Sequence, residues 1–178
     1  MILNSTAIIL IVGDDDQSRD ALAQGLVEQD YAVKVRAFFS VNIPEILTIS
    51  PDLIIFDVHR ETVEPYRLCD EIRIEEMLKD VPVLFRCAKD DEELMRKAFA
   101  CGAVDFVRSS HSREEIVIRV GIHLSMSEKL RKLNEFNKAM IGRELRVVEL
   151  KEEVNRLAKE LGRATPYQEI WSHMSREA

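Results

Sequence analysis

Asp52-Leu53-Ile54-Ile55-Phe56-Asp57 is a short, unbroken apolar run that ends on a carboxylate. An earlier run, Ala7-Ile8-Ile9-Leu10-Ile11-Val12, leads through Gly13 into Asp14, Asp15 and Asp16. Runs of this length without alternation are expected of strands covered on both faces. Two more fall at residues 82–85 and 104–107, and Tyr31-Ala32-Val33-Lys34-Val35-Arg36-Ala37 alternates as a strand nearer an edge would. Between them lie helical stripes. Gln17 to Gln29 carries Ala21, Leu22, Leu26 and Val27; Pro65 to Leu78 carries Leu68, Cys69, Ile72 and Met77; Glu92 to Ala100 carries Leu94, Ala98 and Phe99. Strands alternating with helices imply a doubly wound parallel α/β sheet with right-handed crossovers, five strands and five helices by residue 124. In such sheets the carboxyl ends of the strands share one edge, where ligands bind. Asp14, Asp15 and Asp57 should therefore meet, and clustered carboxylates require a bound cation, a raised pKa, or both.

The chain of 178 residues has room for one domain of roughly 120 residues and an extension. With 46% apolar and 32% charged residues it reads as a folded, water-compatible protein. No stretch approaches the roughly 20 apolar residues that span a bilayer, so no membrane association is expected. The first residues lack a basic segment and the first apolar run ends in aspartates, which speaks against a secretory signal and for the cytoplasm. Residues 1–124 carry a net charge of -9 and residues 125–163 one of +3. An acidic body without a basic face does not suit nucleic acid. Cys69, Cys87 and Cys101 have neither an even count nor metal-site spacing, so buried, reduced thiols are expected. His111, His123 and His173 have no partners at ligand spacing and read as solvated or packed side chains.

The last helix should begin near Ser112, with Glu115 three residues on as a capping box. Ile116, Val117, Val120 and Leu124 can pack on the sheet. Beyond them the apolar period becomes seven. Met126, Leu133, Met140, Val147, Val154 and Leu161 share one heptad position, with Phe136, Leu150 and Leu157 three residues after it, the seam of a coiled coil. Lys129 and Arg143 interrupt the inward positions, and Gly142 weakens the helix by roughly 1 kcal/mol. A helix of about 50 residues would run about 75 Å, far beyond the domain's own diameter, so a partner helix is expected. Gly162 should end it, and Gln168 to Ala178 could add a short helix with Ile170, Trp171 and Met174.

Across residues 6–124 the residues resemble the receiver domain of two-component response regulators. The resemblance implies a flavodoxin-like sheet of order 2-1-3-4-5, Asp57 as phosphoacceptor, and Asp14, Asp15, Asp57 and the His59 carbonyl as ligands of Mg²⁺, a site weakened because Gly13 replaces the first of the two usual acids. The Thr or Ser ending the fourth strand falls on Cys87, a weak donor. The Lys after the fifth strand falls on Ser109, the following Pro on Ser110, and the usual aromatic is Phe106. Arg86 or Arg108 could replace the missing Lys. Residues 125–162 resemble the signalling helices that join sensory and output modules, leaving 163–178 as a tail. The implied protein is a non-enzymatic divergent receiver whose input at Asp57 reaches a dimerising helix with the seam Leu133, Phe136, Met140, Val147, Leu150, Val154, Leu157 and Leu161. Its partners would be a second copy of itself and a histidine kinase or other signalling protein. Two alternatives remain: a phosphorylation-independent interaction scaffold, and a Mg²⁺-dependent phosphatase using Asp57 as nucleophile.

Overall fold

The computed structural model describes residues 6–60, 62–88 and 92–167. Five strands, β1 (Ile8–Gly13), β2 (Ala32–Ala37), β3 (Leu53–Val58), β4 (Val83–Cys87) and β5 (Asp105–Arg108), alternate with α1 (Asp16–Val27), α2 (Ile43–Ile49), α3 (Glu64–Ile74), α4 (Glu92–Ala100) and α5 (Arg113–Glu160). The sheet is wholly parallel in the order β2-β1-β3-β4-β5, as the resemblance implies. The unbroken apolar runs are explained by cover on both faces. Leu10, Val12, Ile54, Phe56 and Phe85 face a core completed by Ile46, Leu68, Cys69, Ile72 and Ala98. Ile9, Ile11, Leu53, Ile55 and Leu84 face a second core completed by Leu22, Leu26, Ile116 and Val120. Successive strand residues point to opposite faces, so each run feeds both layers.

Several boundaries differ from the sequence reading. β4 runs on through Arg86 to Cys87, past the point where its apolar run stops. α3 ends at Ile74 rather than near Leu78, which leaves Met77 in the following turn and exposed, while Val27 and Phe99 are about half exposed on their helices. α2 starts where the Asn42 side chain accepts the Glu45 amide at 3.0 Å with Pro44 in the first turn, a local N-terminal signal that the period-based reading left unassigned. Ser112 Oγ accepts the Glu115 amide at 3.2 Å, as expected. The Glu115 carboxylate does not reach back as a capping box would but pairs with Arg119 at 3.0 Å and with His111 at 2.8 Å.

The chain separates into two compact units, residues 1–128 and residues 129–178. In the second, α5 continues to Glu160 and the backbone turns at Gly162, whose φ of +67° is the left-handed conformation that lets a chain leave a helix. Asn155 brackets the returning chain: its side-chain amide donates to the Tyr167 carbonyl at 2.9 Å and accepts the Tyr167 amide at 3.0 Å. Leu133, Phe136, Met140, Val147, Leu150, Val154, Leu157 and Leu161 are all exposed along this part of the helix. The short helix expected over 168–178, His173 included, lies outside the described residues. No described helix is long and apolar enough to cross a membrane.

Candidate functional site

The parallel register sets Gly13 beside Asp57, and Asp57 beside Arg86, at the carboxyl edge of the sheet. Asp57 is fully buried. A buried carboxylate needs a partner, and it has one: Arg86 Nη1 donates to Asp57 Oδ1 at 2.6 Å. The same Nη1 lies 2.6 Å from Ser18 Oγ, on the first turn of α1. His59 Nε2 lies 2.8 Å from Ser18 Oγ and 3.4 Å from Asp57 Oδ1. Both contacts fall on one ring nitrogen, so the side chains form a polar ring and not the Ser–His–Asp relay of a hydrolase, which uses both nitrogens. Asp57 Oδ2 is buried with no hydrogen-bond partner among the described residues.

The other carboxylates at this edge are already engaged. Asp14 Oδ1 and Oδ2 accept the backbone N–H groups of His59 and Arg60, each at 3.1 Å, so Asp14 holds the loop after β3. Asp15 is the N-cap of α1 and accepts the Ser18 amide at 2.7 Å. Asp16 pairs with Arg19 on the same helix. Gly13 is enforced by crowding: a Cβ there would come 2.9 Å from the Asp57 carbonyl oxygen and 2.9 Å from Arg19 Cγ. Arg19, itself buried, donates to the Gly13 carbonyl at 3.0 Å. An arginine thus fills the space that a first acidic side chain would need.

The resemblance implies Mg²⁺ in this pocket, a cation that demands near-octahedral oxygen ligation. The residues present do not fit it. Among the described residues no group of three or more His, Cys, Asp or Glu side chains could hold a metal ion. Asp14 and Asp15 instead accept backbone amides here, and a guanidinium stands against Asp57. The His59 ring reaches into the pocket toward Ser18 and Asp57.

Cys87 is buried next to the site, and burial, reinforced by the negative charge of Asp57, pushes its thiol up to about 12. It is a packed, protonated thiol. Cys69 and Cys101 are likewise buried and free. Phe106 packs against the core alongside β4. The Ser109 amide donates to the Cys87 carbonyl at 2.8 Å, tying the loop after β5 to the end of β4. Of the two arginines named as replacements for the missing Lys, Arg86 reaches Asp57, while Arg108 is exposed. Sequence reasoning missed Ser18. The available signal was its place three residues after the capping aspartate, which sets its hydroxyl at the same helix N-terminus as the sheet edge.

Comparison with known proteins agrees with this fold. The family model for the response regulator receiver domain matches residues 9–121. The chain is 31% identical over 134 residues to hybrid signal transduction histidine kinase D of Dictyostelium discoideum, covering 75% of this chain and 8% of that protein. It is 28% identical over 116 residues to the transcriptional regulatory protein SpaR of Bacillus subtilis, covering 65% of this chain and 51% of that one. The chain thus spans about half, or much less, of the lengths of these relatives. A response-regulator structure from Chloroflexus aurantiacus J-10-fl superimposes with a TM-score of 0.63 at 29% identity, over 68% of this chain and 99% of that one.

Proposed function

The chain belongs to the response regulator receiver family of two-component signalling, and from that premise we propose that Asp57 is its input residue, the acceptor of a phosphoryl group from a histidine kinase or another phosphodonor. The observation that carries this reading is the burial of Asp57 at the end of β3 with the Arg86 guanidinium 2.6 Å away. Phosphorylation would add about -1.5 to -2 of charge at this spot. A guanidinium is suited to receive it, because its planar fork binds phosphoryl oxygens through two parallel N–H bonds. Ser18 and His59, both within hydrogen-bond reach of the same centre, offer further polar contacts. Arg86 here takes the place that Ser109 vacates in the family pattern.

The output we assign to self-association through α5. Its seam from Leu133 to Leu161 is exposed in the single chain, and a contiguous apolar stripe of that kind is covered in most stable proteins. Incubation with acetyl phosphate followed by intact mass spectrometry is expected to add one phosphoryl group to the wild type and none to Asp57→Asn. An unmodified wild type under donors that label other receivers would overturn the input assignment.

One observation favours a second reading, the phosphorylation-independent scaffold. Asp57 is already neutralised by Arg86, so the pocket can hold its fold without any modification. On that reading Asp57→Asn leaves partner affinity and self-association unchanged, whereas on the first it alters them after phosphodonor treatment.

A further inference from the structure

We propose that Arg86 is a resident counter-ion that closes this pocket to divalent cations, so that the acidic edge of the sheet works without Mg²⁺. It concerns the same pocket as the proposed input but does not require Asp57 to be modified. Three independent features lead there. First, the guanidinium is held in place, not draped over the surface: its strand register sets Arg86 beside Asp57, its Nη1 is 2.6 Å from both Asp57 Oδ1 and Ser18 Oγ, and its side chain is only 14% exposed. Second, the carboxylates that would complete a metal site have other work. Both Asp14 oxygens accept backbone amides, and Asp15 Oδ1 caps α1. Third, the position before Asp14 cannot carry an acid, because its Cβ space is taken by the Asp57 carbonyl and by Arg19.

Within the Asp57 carboxylate, Oδ2 is the oxygen without a hydrogen-bond partner among the described residues. An ion bound there would face a like charge, the Arg86 guanidinium, on the other side of the same carboxylate. Away from bulk water that repulsion is only weakly screened. Arg86 and a divalent ion are thus alternatives at Asp57 and cannot share it. Removal of the guanidinium should let the ion in, and the ion should then restore the stability that the unpaired carboxylate loses.

The test is a titration of the full chain with MgCl₂, followed by calorimetry and by thermal melting. The wild type is expected to show no saturable heat and no change in melting temperature through the millimolar range. Arg86→Ala is expected to bind Mg²⁺ at least about tenfold more tightly than the wild type, since loss of a charge-assisted bond frees the carboxylate. Its melting temperature should climb with added Mg²⁺, and the Arg86→Ala/Asp57→Asn double variant should lose both responses. Arg86→Gln, which keeps hydrogen-bonding capacity for Ser18 and Asp57 while removing the charge, gives the same readout if the alanine variant does not fold. Saturable Mg²⁺ binding by the wild type that Asp57→Asn abolishes would overturn the proposal, as would Arg86 variants that bind no better than the wild type. Phosphoryl transfer measured in EDTA separates this proposal from the input assignment. Labelling of Asp57 that requires Mg²⁺ defeats the counter-ion and leaves the acceptor standing, while absence of labelling in any buffer, with no Mg²⁺ binding, does the reverse.

Discussion

At the scale of single residues, the edge of this sheet is governed by close approach and charge balance. Gly13 is the sharpest steric case. Any side chain there meets the Asp57 carbonyl oxygen, a backbone atom that cannot move aside without breaking register. Gly13→Ala is therefore expected to cost about 1–3 kcal/mol, read as a lower denaturation midpoint in urea, and an unchanged midpoint would show that the strand ends yield without cost. Cys87 supplies a chemical counterpart. With its thiol pushed up to about 12 by burial and by Asp57, almost no thiolate exists at neutral pH, and Cys69 and Cys101 are buried as well. A disulfide reagent should find no fast-reacting thiol in the native protein and three after unfolding; one prompt equivalent in the native state would refute this. That Asp14 and Asp57 fall at the ends of neighbouring strands on one edge is legible in the sequence, because unbroken apolar runs fix where parallel strands end. The engagement of those carboxylates is not. Whether Asp14 meets a metal or the His59 and Arg60 amides depends on loop path, and whether Arg86 turns toward Asp57 depends on which face of β4 it occupies, which the apolar run, ending at Phe85, does not register.

Among the elements, the parallel strands and the stripes of α1, α3 and α4 follow from periodicity, whereas α2 is short enough that only its Asn42 cap and Pro44 announce it. α3 stops at Ile74 and leaves Met77 exposed, while Leu78 returns to the same core as Ile72 from the following turn. The joint between β5 and α5 is electrostatic. Asp105 Oδ2 lies 3.0 Å from both Arg119 Nη1 and His123 Nε2. Burial alone would push its carboxyl up, but the hydrogen bonds from His123 and Arg119 outweigh it and hold the carboxyl below its ordinary value. A folded pKa below the unfolded one contributes stability that is complete above the unfolded value and is lost as pH falls through the folded one. Asp105→Asn should therefore lower the melting temperature at neutral pH and flatten its decline on the acid side. Parallel acid limbs for variant and wild type would exclude this joint as a source of stability. Within α5, Gly142 is a weakness without a steric purpose, since a Cβ there meets nothing within 4 Å. Gly142→Ala should add about 0.8–1 kcal/mol of helix propensity and raise helicity by circular dichroism, and no gain would mean that this segment is not helical in solution.

For the molecule as a whole, the exposed seam is the surface that the proposed self-association would cover. Eight side chains from Leu133 to Leu161 stand at positions a and d of a heptad, and each is exposed in the single chain. Among the described residues the returning chain, up to Tyr167, does not cover them: Asn155, which holds Tyr167, follows Val154 at the neighbouring heptad position, off the seam. A second copy of the same helix is the partner whose pattern matches by construction, because a and d residues then meet their own kind. Parallel pairing has a specific consequence at Arg143, which lies on the d position between Phe136 and Leu150. There the guanidinium of one chain would face that of the other in the least hydrated part of the interface, and like charges so placed oppose association. Arg143→Leu should consequently tighten a parallel dimer, by about tenfold or more for each 1.4 kcal/mol of repulsion relieved, measured as a shift in the concentration at which light scattering reports half dimer. Salt should tighten the wild type and leave the variant unaffected, because screening acts only where the repulsion persists. In an antiparallel pair d faces a, Arg143 meets an apolar residue, and salt has no such differential effect. Leu150→Glu with Leu157→Glu should abolish association in either arrangement, and a wild type that stays monomeric at every concentration would remove the helix from the output altogether.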